Sequence, residues 1–297
     1  MNVFVTGVSG QLGHDVMSEL KNRGIKAVGA DRSGKSDEFK VVALDITDKE
    51  KLETTLSNIK PDVIVHCAAW TNVDGAEDLK FQPIVEKVNV EGTKNLAEMA
   101  KKLNSKMVYI STDYVFDGEG TTPWKPDDKN FAPLNFYGKT KLGGEKAVSE
   151  ILDKYFIVRI AWVFGKNGKN FVDTMINVGK THPEVRVVDD QIGTPTYCPD
   201  LAHLLVDMIE TDKYGFYHAT NEGGYISWAD FAKEIFDQAK IDSKVIPVST
   251  EEYEKIAGKS TAKRPKNSRL DKTKLTKTGF TLLPTWQDAL SRYLKER

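Results

Sequence analysis

Along the first part of the chain, short apolar runs alternate with stretches whose apolar residues recur at helical spacing. Asn2-Val3-Phe4-Val5-Thr6 reads as a buried strand, and Leu12, Val16 and Leu20, at i, i+4 and i+8, then mark one face of a helix. Gly24 ends that helix where a C-cap glycine belongs. Further strands are predicted at 25–30, 41–44, 63–65, 107–110 and 156–158, with a helix over 88–103 that carries Val88, Leu96, Met99 and Leu103. Such strand–helix alternation predicts an α/β fold of Rossmann type, a doubly wound parallel sheet with helices on both faces. After about residue 165 prolines and glycines become denser (Pro183, Gly193, Pro195, Pro199), and helices are predicted near 201–210, 228–239 and 286–294. The expected division is a dinucleotide-binding domain over 1–165 and a smaller α/β substrate lobe over 166–297, with segments of the lobe free to return to the sheet.

Composition narrows the function classes. With 297 residues there is ample material for a core. The net charge of -1 supplies no basic field for nucleic acid or an anionic membrane. A basic run from Lys259 to Lys277 reads either as a solvated surface or as a place for a phosphate-bearing ligand. Cys67 and Cys198 are far apart and form no CxxC, which argues against a disulfide scaffold or a structural zinc. No apolar run approaches a membrane span, and no leader-like segment precedes the first strand, so a cytoplasmic protein is expected. His14, His66, His182, His203 and His218 show no ligand spacing and read as structural, and Ser9, Ser111 and Ser227 lack a nucleophile-elbow context.

Two motifs carry chemistry. The first is Thr6-Gly7-Val8-Ser9-Gly10-Gln11-Leu12-Gly13, with glycines at 7, 10 and 13 between the first strand and the first helix. A strand-to-helix turn aims backbone N–H groups and a helix N-terminus at a phosphate, and a glycine keeps a Cβ out of the pyrophosphate's way. Asp31 ends the second strand about twenty residues on, where an acid accepts from the adenosine ribose hydroxyls. Arg32, Ser33 and Lys35 follow at once, and a guanidinium there suits a 2′-phosphate, so NAD(H) and NADP(H) both stay open. The second motif is Tyr137-Gly138-Lys139-Thr140-Lys141, which puts Tyr137 and Lys141 on one helix face. A free phenol has a pKa near 10, and an adjacent ammonium is expected to lower it toward acid–base work on a carbonyl oxygen. Upstream, a strand ends in Ser111-Thr112-Asp113, which offers a hydroxyl for the same oxygen.

These residues resemble the extended short-chain dehydrogenase/reductase family, and within it the dTDP-4-dehydrorhamnose reductase branch, over nearly the whole chain. The resemblance rests on the glycine turn, on Cys67-Ala68-Ala69-Trp70-Thr71-Asn72-Val73-Asp74, and on Ser111-Thr112-Asp113-Tyr114-Val115-Phe116. It continues through Pro133-Leu134-Asn135-Phe136 into the tyrosine motif, Ala161-Trp162-Val163-Phe164-Gly165, Asp190-Gln191-Ile192-Gly193-Thr194-Pro195-Thr196 and Arg264-Pro265-Lys266-Asn267-Ser268-Arg269-Leu270. It implies that Thr112 and Tyr137 hold the C4 oxygen of a keto-sugar and that Lys141 bonds the nicotinamide ribose. Gly7, Gly10, Gln11, Leu12 and Gly13 then form the pyrophosphate turn, Asp31 and Arg32 the adenosine ribose site, Asp45 and Ile46 the adenine side, and Ala68 and Ala69 a cofactor wall. Thr112, Asp113, Trp162 and Asn170 face the substrate, with Arg264 and Arg269 for its phosphates.

The implied function is NAD(P)H-dependent reduction of the C4 keto group of a nucleotide-linked 6-deoxy sugar in cell-surface polysaccharide biosynthesis, by a monomer or homodimer. Some relatives carry Mg2+ at a dimer interface; here Asp15 matches one carboxylate, but Pro199 stands where another acid is expected, so the residues do not support it. Two rivals remain. One is another nucleotide-sugar reductase, an epimerase or a dehydratase of the same fold; by resemblance the dehydratases carry an Asp-Glu pair after the threonine, and Asp113 followed by Tyr114 counts against elimination. An NADP-binding regulatory subunit resembling that of methionine adenosyltransferase shares much of the motif set.

Overall fold

The computed structural model describes residues 1–257 and 262–297; Lys259, the start of the basic run, lies outside them. In chain order the strands and helices are β1 (Asn2–Thr6), α1 (Gln11–Asn22), β2 (Lys26–Asp31), β3 (Val41–Ala43), α2 (Lys49–Ile59), β4 (Val63–His66), α3 (Gln82–Glu86), α4 (Thr93–Leu103) and β5 (Lys106–Thr112). Next come α5 (Phe136–Ile151), β6 (Tyr155–Ile160), β7 (Val163–Phe164), α6 (Phe171–Gly179), β8 (Glu184–Val188), β9 (Ile192–Gly193), β10 (Thr196–Tyr197) and α7 (Cys198–Ile209). The chain closes with β11 (Gly215–His218), β12 (Ile226–Ser227), α8 (Trp228–Ala239), β13 (Lys244–Val248), α9 (Thr250–Ala257), α10 (Thr273–Lys277) and α11 (Trp286–Glu296).

Seven strands form one parallel sheet in the order β11-β6-β5-β4-β1-β2-β3. The order reverses between β1 and β4, and a doubly wound sheet opens its ligand crevice at that switch point, outside the carboxyl ends of the strands. Val3 and Val5 point to one face and join α1 and α7 residues such as Val16, Leu20, Leu201 and Leu205. Phe4 and Ile64 point to the other and join Leu52, Leu96 and Val148. Both faces are therefore dry, and the strands read as continuous apolar runs rather than alternating ones.

The predicted helix over 88–103 is real but not regular. Between α3 and α4 the segment Lys87–Gly92 runs as a π-helix, which shifts the backbone register by one residue and buries Asn89. Apolar periodicity marks a helical face but carries no trace of such a shift. Beyond β7, the helices α6, α8 and α11 and the parallel pair β8–β13 enclose a second core that includes Val172, Ile176, Val187, Phe231, Ile235, Trp286 and Tyr293. Between these elements α7 packs on α1 and β11 joins the edge of the large sheet next to β6.

Candidate active site

The glycine turn sits at the end of β1, beside the switch point. Gly7 has φ +72° and a Cβ there would lie 2.7 Å from the backbone of Ala68, while a Cβ on Gly13 would run into the Gly7 carbonyl. Packing within the chain therefore accounts for both. Gly10 is less constrained: its Cβ would meet a single atom, the Gly7 oxygen, in a tight contact at 3.3 Å that a small shift of the turn relieves. Gly10 also caps α1 without a side-chain hydrogen bond, and the first turn of α1 holds no acid. Uncapped N–H groups behind an open, side-chain-free approach suit a pyrophosphate. Gln11 donates from Nε2 to the Lys169 carbonyl (3.3 Å), and Leu12 is buried in the core below the turn.

Asp31 ends β2 beside this turn. Its Oδ2 accepts from the Ser9 hydroxyl (2.6 Å) and its Oδ1 from the Ser33 amide (3.3 Å). Asp45 lies across the strand ends with Thr47 bonded to it through both amide (2.9 Å) and hydroxyl (2.8 Å). Burial pushes the Asp45 carboxyl up, but the Thr47 bonds and the nearby charges of Arg32 and Lys87 outweigh it and hold it low. Arg32 itself is exposed, Ile46 is buried beside Gly92, and Ala68 and Ala69 lie half-buried behind the turn. The residues expected for the cofactor thus lie at or just beyond the carboxyl ends of β1 to β4, around the glycine turn.

A buried polar chain, missed in the sequence, runs from this crevice to α5. The Ala68 amide donates to the Thr6 hydroxyl (3.2 Å), which meets His66 Nδ1 (2.7 Å). His66 Nε2 lies 3.1 Å from the Thr93 hydroxyl, which donates to the Asn89 carbonyl (2.7 Å). Burial drives the His66 pKa down to about 3, so the ring is neutral, and these partners fit a proton on Nε2. The Asn89 side chain then grips the Trp70 backbone, accepting from its amide (2.8 Å) and donating to its carbonyl (3.2 Å), and also donates to Thr140 on α5 (3.0 Å). The π-register that places Asn89 here had no sequence signal.

The catalytic candidates meet at the end of β5. Thr112 is buried; its hydroxyl donates to Asp113 Oδ1 (3.0 Å) and accepts from the Tyr114 amide (3.3 Å). The Asn135 side chain caps α5 by accepting from the Gly138 amide (2.8 Å), and the helix then delivers Tyr137 with its hydroxyl against that of Thr112. Lys141, one turn further, is buried with Nζ 4.1 Å from the centre of the Tyr109 ring.

The electrostatics correct one expectation. Lys141 does not bring Tyr137 below the ordinary phenol value: burial, reinforced by the Asp113 charge, pushes Tyr137 up. Burial likewise lowers Lys141 to about 7 and raises Asp113 to about 6. All three are squeezed toward their neutral forms, because each loses hydration and no neighbour fully replaces it. A protonated phenol is the state that a proton donor needs.

Among the residues expected to face the substrate, Trp162 follows β6 with φ +52°, an uncommon conformation for a bulky residue, and stacks on Trp228 at 3.7 Å. Arg264 pairs with Asp74 (2.6 Å), and Arg269 donates to Asn267 Oδ1 (3.0 Å). Asn170 stands apart. It caps α6, accepting from the Asp173 amide (2.9 Å), and its Nδ2 donates to Gly165 O (3.0 Å) and toward Asp173 and the Tyr293 hydroxyl. Both ends of that amide are engaged within the lobe. At the positions considered for magnesium, Asp15 Oδ2 is buried without a hydrogen-bond partner, Pro199 has no ligating side chain, and no group of three or more His, Cys, Asp or Glu among the described residues of the chain could hold a metal. No helix among the described residues is long and apolar enough to cross a membrane.

Comparison with known proteins shows the family. A family model described as RmlD substrate binding domain matches residues 1–297. The chain is 39% identical to a dTDP-4-dehydrorhamnose reductase of Aggregatibacter actinomycetemcomitans, over 97% of this chain and 96% of that protein. It is 35% identical to the spore coat polysaccharide biosynthesis protein SpsK of Bacillus subtilis, over 99% of this chain and 97% of that one. Among solved structures, dTDP-4-dehydrorhamnose reductase from Bacillus anthracis in complex with NADP superposes with a TM-score of 0.90 at 40% identity, covering 100% of this chain and 99% of that one.

Proposed function

This chain belongs to the RmlD substrate-binding-domain family, and from that premise we infer that it is an NAD(P)H-dependent oxidoreductase that reduces dTDP-4-dehydrorhamnose to dTDP-L-rhamnose. The observation that carries the residue assignment is the meeting of two hydroxyls, Thr112 and Tyr137, at one strand end next to a crevice shaped for a dinucleotide. Bound in that crevice, NAD(P)H supplies the hydride for C4 of the sugar. The chain's own residues do the rest. Tyr137, held protonated by its surroundings, donates its proton to the C4 oxygen as negative charge develops there. Thr112 donates a second hydrogen bond to that oxygen, which requires its hydroxyl to turn from Asp113. Asp113 then faces the sugar as a buried acceptor for its hydroxyls.

Lys141 holds the nicotinamide ribose, and Gly7, Gly10, Gln11, Leu12 and Gly13 receive the pyrophosphate. Asp31, Arg32, Asp45 and Ile46 form the adenosine end, and Ala68 and Ala69 back the cofactor. Trp162 walls the sugar, and Arg264 and Arg269 serve the substrate's phosphates, Arg264 by exchanging Asp74 for them. Asn170 supports this lobe as a helix cap. The enzyme works in the cytoplasm, where the cofactor and nucleotide sugars are found.

The test is NAD(P)H consumption with dTDP-4-keto-6-deoxy-L-mannose, compared with other nucleotide keto-sugars. Turnover confined to the dTDP-linked 4-keto-6-deoxy sugar is expected. Tight NADPH binding without turnover of any keto-sugar would refute the assignment.

A further inference from the structure

Arg159 on β6 is fully buried, and its guanidinium is bound on every side. Nε and Nη2 donate to the two carboxylate oxygens of Glu145, each at 2.8 Å, and Nη1 donates to the Pro126 carbonyl (3.0 Å). The rings of Phe116, Phe131 and Phe216 surround it at 4.9, 5.2 and 5.0 Å. Taking both charges out of water is costly, and an apolar pair of similar volume serves stability as well or better. Such a pair therefore calls for a use other than stability.

Its third partner indicates that use. The Ser111 hydroxyl donates to Glu145 Oε1 at 2.5 Å, and Ser111 directly precedes Thr112. Glu145 lies one helical turn after Lys141 and two after Tyr137. One carboxylate thus joins the strand that carries Thr112, the helix that carries Tyr137 and Lys141, and β6 behind them. Gly144 allows the approach, because a Cβ there would run into the Tyr109 hydroxyl, which donates to the Lys141 carbonyl (3.2 Å).

We propose that Glu145 is a positioning residue for the reduction: through Ser111 and Arg159 it sets the rotation and height of α5 over β5, so that Tyr137 and Thr112 address one oxygen, and it presents its carboxylate to the Lys141 ammonium. The proposal deepens the reductase reading and rests on it. The groups facing Lys141 are Glu145 on its own helix, His66 and Cys67 at the end of β4, and Tyr109 on β5. His66 is neutral and Cys67 is pushed up to about 12, which leaves Glu145 as the anion that favours the charged lysine.

The experiment compares Glu145→Gln, Ser111→Ala and the double variant Glu145→Met/Arg159→Leu, which leaves no uncompensated charge if the single variant folds poorly. Glu145→Gln is expected to lower kcat roughly 10- to 100-fold, as a displacement of about 1 Å does, with smaller changes in KM. The basic limb of its kcat–pH profile should move to lower pH, because removing the anion disfavours the ammonium. Ser111→Ala should lower kcat and leave the limb in place. A merely structural role reduces the folded fraction and moves neither the limb nor the rate per active site. Lys141 titration followed by NMR, assigned with Lys141→Arg, gives a readout independent of turnover. Wild-type turnover with an unchanged limb and kcat in a folded Glu145 variant overturns the proposal, as does an unshifted Lys141 titration. A wild-type protein that reduces no keto-sugar instead overturns the reductase reading.

Discussion

The glycine turn at the end of β1 and the catalytic patch at the end of β5 share one sheet, with β4 between them, yet they are made of opposite materials. The turn offers backbone: N–H groups at the start of α1, an approach left open at Gly10, and acids at Asp31 and Asp45 near the surface. The patch offers enclosed side chains: Thr112, Asp113 and Lys141 are all buried, and their surroundings press Asp113 and Lys141 toward the neutral forms. Binding a dianionic pyrophosphate needs donors that cost little to keep ready, and a helix N-terminus supplies them. Moving one proton needs groups poised between states, which only desolvation and close neighbours provide. A substitution in the turn should therefore change affinity, and one in the patch should change rate.

Tyr137→Phe is the sharpest test of that division. It removes a proton donor used only as the alkoxide forms, so kcat should fall by roughly 10²–10⁴-fold while NADPH affinity stays near wild type. Stopped-flow reduction and fluorescence titration on one preparation check both halves. A folded Tyr137→Phe protein reducing the keto-sugar at the wild-type rate would remove the tyrosine from the chemistry.

Gly10→Val applies the converse test. Its Cβ meets one protein atom closely and valine is a poorer helix cap, so the fold should survive with a modestly lower Tm, while the branched Cβ occupies the approach kept for the pyrophosphate. NADPH affinity should drop by roughly 100-fold or more, and retained affinity in folded protein would place the dinucleotide elsewhere. Arg32→Ala sharpens the same end further. Loss of one charge-assisted contact costs roughly 1.5–3 kcal/mol, so NADPH binding should weaken about 10- to 100-fold and NADH binding much less. Equal losses for both would show that Arg32 does not read the 2′-phosphate.

The two regions also differ in how far the sequence reveals them. The turn is local: eight consecutive residues between a strand and a helix carry it, and Asp31 follows at a fixed distance, so periodicity and spacing were enough. The parallel sheet with helices on both faces followed from the same alternation. The patch is assembled from β4, β5, β6, α5 and the π-segment before α4. Its visible members, Thr112, Tyr137 and Lys141, stand in short motifs, but their supports do not. Asn89 depends on a one-residue register shift, His66 looks like any core histidine, and the Glu145–Arg159 pair joins residues of ordinary type on separate elements. The direction of the Tyr137 shift was misjudged for a related reason. Lys141 is visible from its spacing, whereas burial is a property of the whole fold.

Asp113→Asn separates function from stability within the patch. The folded chain raises this carboxyl to about 6 from an unfolded value of 3.8, so the folded state holds the proton more tightly than the unfolded one. Ionisation therefore favours unfolding: the penalty is absent below about pH 4, grows between pH 4 and 6, and is complete above that. Burial is the main cause, and the Thr112 and Ser268 hydroxyls only partly offset it. Asparagine keeps the shape without the charge, so at pH 7 the variant should gain up to about 3 kcal/mol, a rise of a few degrees in Tm, and at pH 4 almost nothing. In the same protein, turnover should fall, because a buried carboxylate that accepts from sugar hydroxyls is worth its instability only while the sugar is bound. Paired thermal scans at pH 4 and 7 beside steady-state kinetics read both effects. A variant less stable than wild type at pH 7 and equal to it at pH 4 would reverse the sign and show that the Asp113 charge holds the fold together.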